Sequence, residues 1–211
     1  NNYNPFATID DSTCLYSPFV FGCTDIFALN YNPLATIDDS SCCYNSGQLW
    51  SQIGQDIDGE FSNDLFGFSV SFSRDGNILA IGAPDNSWNG STYTNVSGHV
   101  RIFENISGSW IQIGNDIDGY EYDYSGHSVS LSGDGQKVAI GTLQQSGGAL
   151  IDDGNVRIFE NISGSWIQIG NDINGEAAGD MSGCSVSLSD NGNVVAIGSY
   201  ENDGNGLNAG H

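Results

Sequence analysis

The stretch Arg101–Ile117, RIFENISGSWIQIGNDI, recurs letter for letter at Arg157–Ile173, an offset of 56 residues. A chain that copies itself at that period must build stacked or radial units, each closing its core against its neighbours. Within the copy, Arg-Ile-Phe-Glu and Trp-Ile-Gln-Ile-Gly each have strand length, and Asn-Ile-Ser-Gly-Ser lies between them as a turn. The copy therefore reads as a β-hairpin. Composition agrees. Of 211 residues 29 are Gly, and Lys and Arg together number only 4. This is turn-rich, all-β usage.

Two further elements complete the unit. Gly67-Phe-Ser-Val-Ser-Phe-Ser73 recurs as Gly126–Ser132 and Gly183–Ser189. Its alternation puts Val70/Phe72, Val129/Leu131 and Val186/Leu188 on one face and small serines on the other. Tight turns follow at Asp75-Gly76, Asp134-Gly135 and Asn191-Gly192. Short apolar runs come next (Ile78–Gly82, Val138–Gly141, Val194–Gly198), as in strands buried on both faces. Four antiparallel strands at this period describe propeller-type blades, spanning 67–114, 126–170 and, incompletely, 183–211 of an array covering 49–211. Leu49-Trp50-Ser-Gln-Ile-Gly54 stands before the first blade as an isolated fourth strand. The expectation is a longer parent chain, or several chains that complete one another.

The array resembles FG-GAP repeats, the units of integrin-α-like propellers. Phe66-Gly67 stands for the FG and Ala80-Ile-Gly-Ala-Pro84 for the GAP. Later units keep only the glycines: Gly126 and Gly141, Gly183 and Gly198. Calcium-binding members carry a DxDxDG loop where this chain has only a tight turn, so that metal site is not carried over to Asp75, Asp134 or Asn191. Another acidic element recurs as Asp56-Ile-Asp58, Asp116-Ile-Asp118 and Asp172-Ile-Asn174. It reads as a turn, with two ligands being too few to hold an ion.

Residues 1–48 carry a second repeat. Asn2–Cys14 matches Asn30–Cys42 at offset 28, giving a truncated module (1–16) and a complete one with its linker (17–48). So small a unit needs a covalent staple. Cys23–Cys42 is the simplest pairing within the full copy, and Cys43 is the spare that could take Cys14. Asp25, Asn30, Asn32, Asp38 and Asp39, with Asp10 and Asp11 in the first copy, place hard oxygens close together. They are either calcium ligands or the ordinary turn chemistry of Asp and Asn. The segment 1–44 resembles GCTDPxAxNYNPxATxDDGSC modules of secreted bacterial surface proteins. It departs at Ile26-Phe27 and at Ser40, where those modules have Gly. The resemblance implies a spacer or surface module and names no ligand.

Formal charge is −22, with Arg74, Arg101, Lys137 and Arg157 against 26 acidic residues. Such a surface repels nucleic acid and anionic membrane. No apolar run is long enough to insert into a bilayer. With no initiator Met and no signal-like start, the expectation is a processed product or excised fragment. Clustered cysteines point to an oxidising, extracellular or cell-surface setting.

No catalytic constellation is legible, and the expectation is a non-enzyme. His99 and His211 share one repeat position, and His127 shares another with Phe68 and Cys184, so all three read as structural variants. Trp88 and Tyr93 lie in the uncopied loop Pro84–Gly98, where exposed aromatics would suit carbohydrate stacking. Glycan acceptor patterns occur at Asn89, Asn95, Asn105 and Asn161, and Ser12 lies in an Asp-Ser-Thr O-glycosylation-like triplet. The reading is a secreted surface or matrix protein working by adhesion or by assembly through self-association with neighbouring repeats. The alternative is a carbohydrate-binding propeller module using the 84–98 loop.

Overall fold

The computed structural model describes residues 19–26, 28–43, 51–87, 96–143 and 153–211. Asp10, Asp11, Ser12, Cys14, Trp50, Trp88, Asn89, Tyr93 and Asn95 lie outside them. The described chain is all-β, with no helix, and it divides into two compact units, 1–52 and 53–211.

In the first unit, β1 (Phe21–Gly22) pairs in parallel with β2 (Ile37–Asp38). A disulfide joins Cys23 to Cys42 with Cα atoms 4.7 Å apart. Cys23 is buried, and Asn30 closes the module: its Nδ2 donates to Ser41 O and its Oδ1 accepts from Cys43 N, both at 2.7 Å.

The described residues of the second unit form two five-stranded sheets and one two-stranded sheet. β3 (Ser69–Phe72), β4 (Ile78–Ala83), β5 (His99–Ile106) and β6 (Ser109–Gln112) pair antiparallel in that order, and β7 (Ile117–Asp118) adds to β5. β8 (Ser128–Leu131), β9 (Lys137–Thr142), β10 (Asn155–Ile162), β11 (Ser165–Gln168) and β12 (Ile173–Asn174) repeat this layout. β13 (Ser185–Leu188) and β14 (Val195–Gly198) begin it again. None of the sheets closes into a barrel.

β4 is buried at every residue, as its unbroken apolar run requires. The Asp116-Ile-Asp118 element differs from its sequence reading. Ile117 is buried and the segment is a short fifth strand, because Val100 of β5 gives Ile117 a ladder partner and an apolar neighbour. The β5–β6 turn has only Ser107 and Gly108, with φ of 55° and 86°. Positive φ at both central residues twists the hairpin the way its strands twist. Asp64, Asp123 and Asp180 are buried at equivalent positions, and their Oδ2 atoms accept from Phe61, Tyr120 and Ala177 N at 2.8–2.9 Å.

Successive repeats are joined by the serines that alternation turns away from the apolar face. Ser69 Oγ donates to Gly126 O at 2.7 Å, and Ser71 Oγ accepts from Leu131 N at 3.0 Å. One repeat later Ser128 Oγ donates to Gly183 O and Ser130 Oγ accepts from Leu188 N. Tryptophans make a second joint: Trp110 Nε1 donates to Ile53 O and Trp166 Nε1 to Ile113 O.

Candidate functional site

Among the described residues, one group of three His, Cys, Asp or Glu side chains converges: Glu60, His99 and Asp116, with one ligand atom from each within 4.8 Å of the others. β5 delivers His99 at its first residue, where the ladder sets it opposite Asp118 of β7. The His99 side chain is 1% exposed, and its Nε2 has no hydrogen-bond partner. Nδ1 stands 3.9 Å from Asp116 Oδ2.

The far side of Asp116 is well occupied. Its Oδ1 accepts from Gln112 Nε2 at 2.6 Å and lies 3.7 Å from Arg101 Nε. Arg101 itself donates through Nε and Nη2 to Gln112 Oε1 and lies over the Phe66 and Phe103 rings. Burial lowers the pKa of His99, opposed by the charges of Asp116, Glu60 and Asp118, so the imidazole favours the neutral form. Burial also raises the pKa of Asp118, with Asp116 adding to the rise. One neutral imidazole with carboxylates on one side is a donor set for a cation, whereas no hydroxyl or thiol nucleophile takes part.

Sequence reasoning singled out Asp116 and Asp118 but treated His99 as structural and left Glu60 aside. The signal was weak: 39 residues separate Glu60 from His99, and only the return of β5 beside the 56–60 segment joins them.

Three of the candidate ligands in the N-terminal unit are in use as turn formers. Asn32 Oδ1 accepts from Leu34 N, Asp38 Oδ1 from Ser40 N and Asp39 Oδ1 from Ser41 N, at 2.9–3.0 Å. Asn30 is committed as described above, and Asp25 is half-buried near Cys23. Ser41 lowers the pKa of Asp39, first through its side chain and then through its backbone N–H. Cys43 is an exposed free thiol. Cys184 is half-buried, its Sγ donating to Gly198 O at 3.1 Å. Asn105 and Asn161 each lend Oδ1 to the turn, accepting from Gly108 N and Gly164 N at 2.8 Å. A glycan on Nδ2 would leave that bond intact.

The outer faces of the second unit form the other notable surface. Val70 and Phe72 are 60% and 54% exposed, whereas the equivalent Val129, Leu131 and Leu188 are buried; Phe68 lies against His127 of the second repeat, ring centroids 4.8 Å apart. The alternation read from sequence holds in all three strands, and burial differs because no described repeat packs on the first. At the opposite end Ser185 and Ser187 are exposed, although the equivalent Ser128 is buried against the next repeat.

No protein-family model matches this chain, and no curated protein matches it. Among solved structures the chain is similar to Kuenenia stuttgartiensis hydrazine synthase, at 17% identity and a TM-score of 0.40. The likeness covers 62% of this chain and 36% of that one, and carries no argument about fold or activity.

Proposed function

We propose that the chain is a non-enzymatic extracellular scaffold whose propeller-type blades extend by docking further units of the same kind. The observation that carries this reading is the pair of complementary faces left open at the ends of the second unit. Inside the chain, the serine face of each repeat packs on the Val/Leu face of the next. The first repeat offers Val70 and the exposed part of Phe72, whose ring lies 6.0 Å from that of Trp110, and the third offers Ser185 and Ser187. A contact from one end of a molecule to the other end of a second is heterologous and propagates. Adhesion or assembly into a fibre or layer follows from such growth. The Cys23–Cys42 bridge suits an oxidising compartment.

Sedimentation velocity across a concentration series tests the proposal. The 211-residue chain should associate with rising concentration. Val70→Asp blocks one end. Gly198→Ala blocks the other, because the Cβ at the equivalent Gly82 and Gly141 would overlap the carbonyl of the next repeat's Gly126 and Gly183. Each variant alone should stay monomeric, because every contact needs both kinds of end, and the two mixed should stop at a dimer joined through the one intact end of each. A chain that stays monomeric at every concentration overturns the proposal. Within the same reading Asp25, Asn30, Asn32, Asp38 and Asp39 are candidate calcium ligands. A melting temperature for residues 1–52 that ignores chelator would remove them.

A further inference from the structure

We propose that Glu60, His99 and Asp116 bind one first-row divalent transition-metal ion, of which zinc is the probe. The three ligand atoms already lie within 4.8 Å of one another, and they come from three separate segments. The His99 side chain is 1% exposed, and its ring nitrogen facing Asp116 is Nδ1, so a cation shared with that carboxylate would sit on Nδ1 and leave the ring proton on the unpartnered Nε2. The 3.9 Å from His99 Nδ1 to Asp116 Oδ2 is too long for a hydrogen bond. Two donors sharing a cation at about 2.1 Å each stand roughly 3 Å apart, so a shift of about 1 Å closes the site.

Asp116 is already oriented for this role. Gln112 Nε2 holds Oδ1 at 2.6 Å, which leaves Oδ2 turned to the imidazole, as outer hydrogen bonds orient the ligands of known metal sites. Arg101 opposes a cation, but its guanidinium is engaged by Gln112 and two aromatic rings. Glu60, Asp116 and the neighbouring Asp118 outnumber it, so the site is net negative. The imidazole sets the class of ion, because calcium takes oxygen donors and a nitrogen favours transition metals. In the second repeat Tyr120, Asn155 and Asp172 occupy the equivalent places. Asn155 is buried there and likewise unpartnered, but it brings no second carboxylate, so the donor set is complete once.

The test is zinc titration of the 211-residue chain by calorimetry, in excess calcium to occupy the diffuse acidic surface, with histidine ring 15N shifts as a second readout. One zinc should bind per chain, and the His99 ring signal should move while that of His127 does not. His99→Asn installs the residue that the second repeat carries at this place, and Glu60→Gln changes an exposed side chain, so both should fold. Each should weaken zinc at least about tenfold. Absence of stoichiometric binding, equal binding by both variants, or an unmoved His99 signal each overturns the site.

Discussion

A single hydrogen-to-methyl change tells whether one repeat is covered by another. Gly82 and Gly141 sit in the second strand of their repeats, and a Cβ on either would overlap the backbone carbonyl of Gly126 or Gly183. Gly198 holds the same position in the third repeat, but a Cβ there meets only side-chain atoms, chiefly the Ser185 hydroxyl, which can rotate away. None of the three has a positive φ, so the cost is steric rather than conformational. Gly82→Ala and Gly141→Ala should each lose about 2–3 kcal/mol in urea denaturation, and Gly198→Ala less than about 1 kcal/mol. Equal losses at all three would mean that the overlap is not what glycine avoids. Asp75 gives a second prediction at this scale. The Ser73 hydroxyl, then Asn77 through its backbone N–H and side chain, hold its carboxyl down to about 2. A folded pKa below the unfolded value contributes stability that is present above about 3.8 and lost as pH falls through about 2. The 13C titration of the Asp75 carboxyl should therefore have its midpoint near 2. Asp75→Asn should remove that acid loss and keep the turn, since Asn191 Oδ1 already accepts from Ser189 Oγ and Asn193 N.

At the level of elements, the hairpin β5–β6 carries a small avoidable strain. Ser107 has φ of 55° and Ser163 in the copied hairpin has the same value. An L-residue with a Cβ pays for that region unless, like Asn, its side chain bonds locally. Asn-Gly is also the favoured pair for this turn. Ser107→Asn and Ser163→Asn should each raise stability by about 0.3–1 kcal/mol, and the double variant should add; a fall in the denaturation midpoint would contradict the turn assignment. Alternation and turn residues were what made such elements legible. Val129 and Leu131 face inward, Asp134-Gly135 turns, and Trp166 ends the repeat as period and composition imply. What a period cannot express is which repeat meets which atom. Ser69 and Ser71 read as merely small, yet their hydroxyls join repeats. No sequence pattern singles out Asp64, Asp123 and Asp180, yet each is buried and organises a loop. Glu60 and His99 meet only because β5 returns beside an earlier segment, and no local pattern encodes that return.

Across the whole molecule, the two units are stabilised by different physics. The described residues of 53–211 bury three clusters of Ile, Val, Leu, Phe and Ala side chains within and between repeats. Among the described residues of the first unit, the buried apolar side chains are Cys23 and Ala28. A hydrophobic core of that size cannot offset the conformational entropy of the chain around it. The Cys23–Cys42 bridge, which closes a sequence separation of 19, must supply most of the difference. By loop closure it is worth about 3 kcal/mol, a large share of what so small a unit can possess. Backbone exchange should therefore show two separable responses to dithiothreitol. Amides of residues 19–43 should lose protection on reduction, while those of β4, β5, β9 and β10 keep theirs, because no described contact of the second unit depends on a disulfide. Cys23→Ser with Cys42→Ser should reproduce the effect without reductant. If residues 19–43 stay protected in that variant, the Asn30 clamp on Ser41 and Cys43 is enough to hold the module. If β4 and β9 lose protection with them, the two units fold as one and the division of stabilising forces drawn here is wrong.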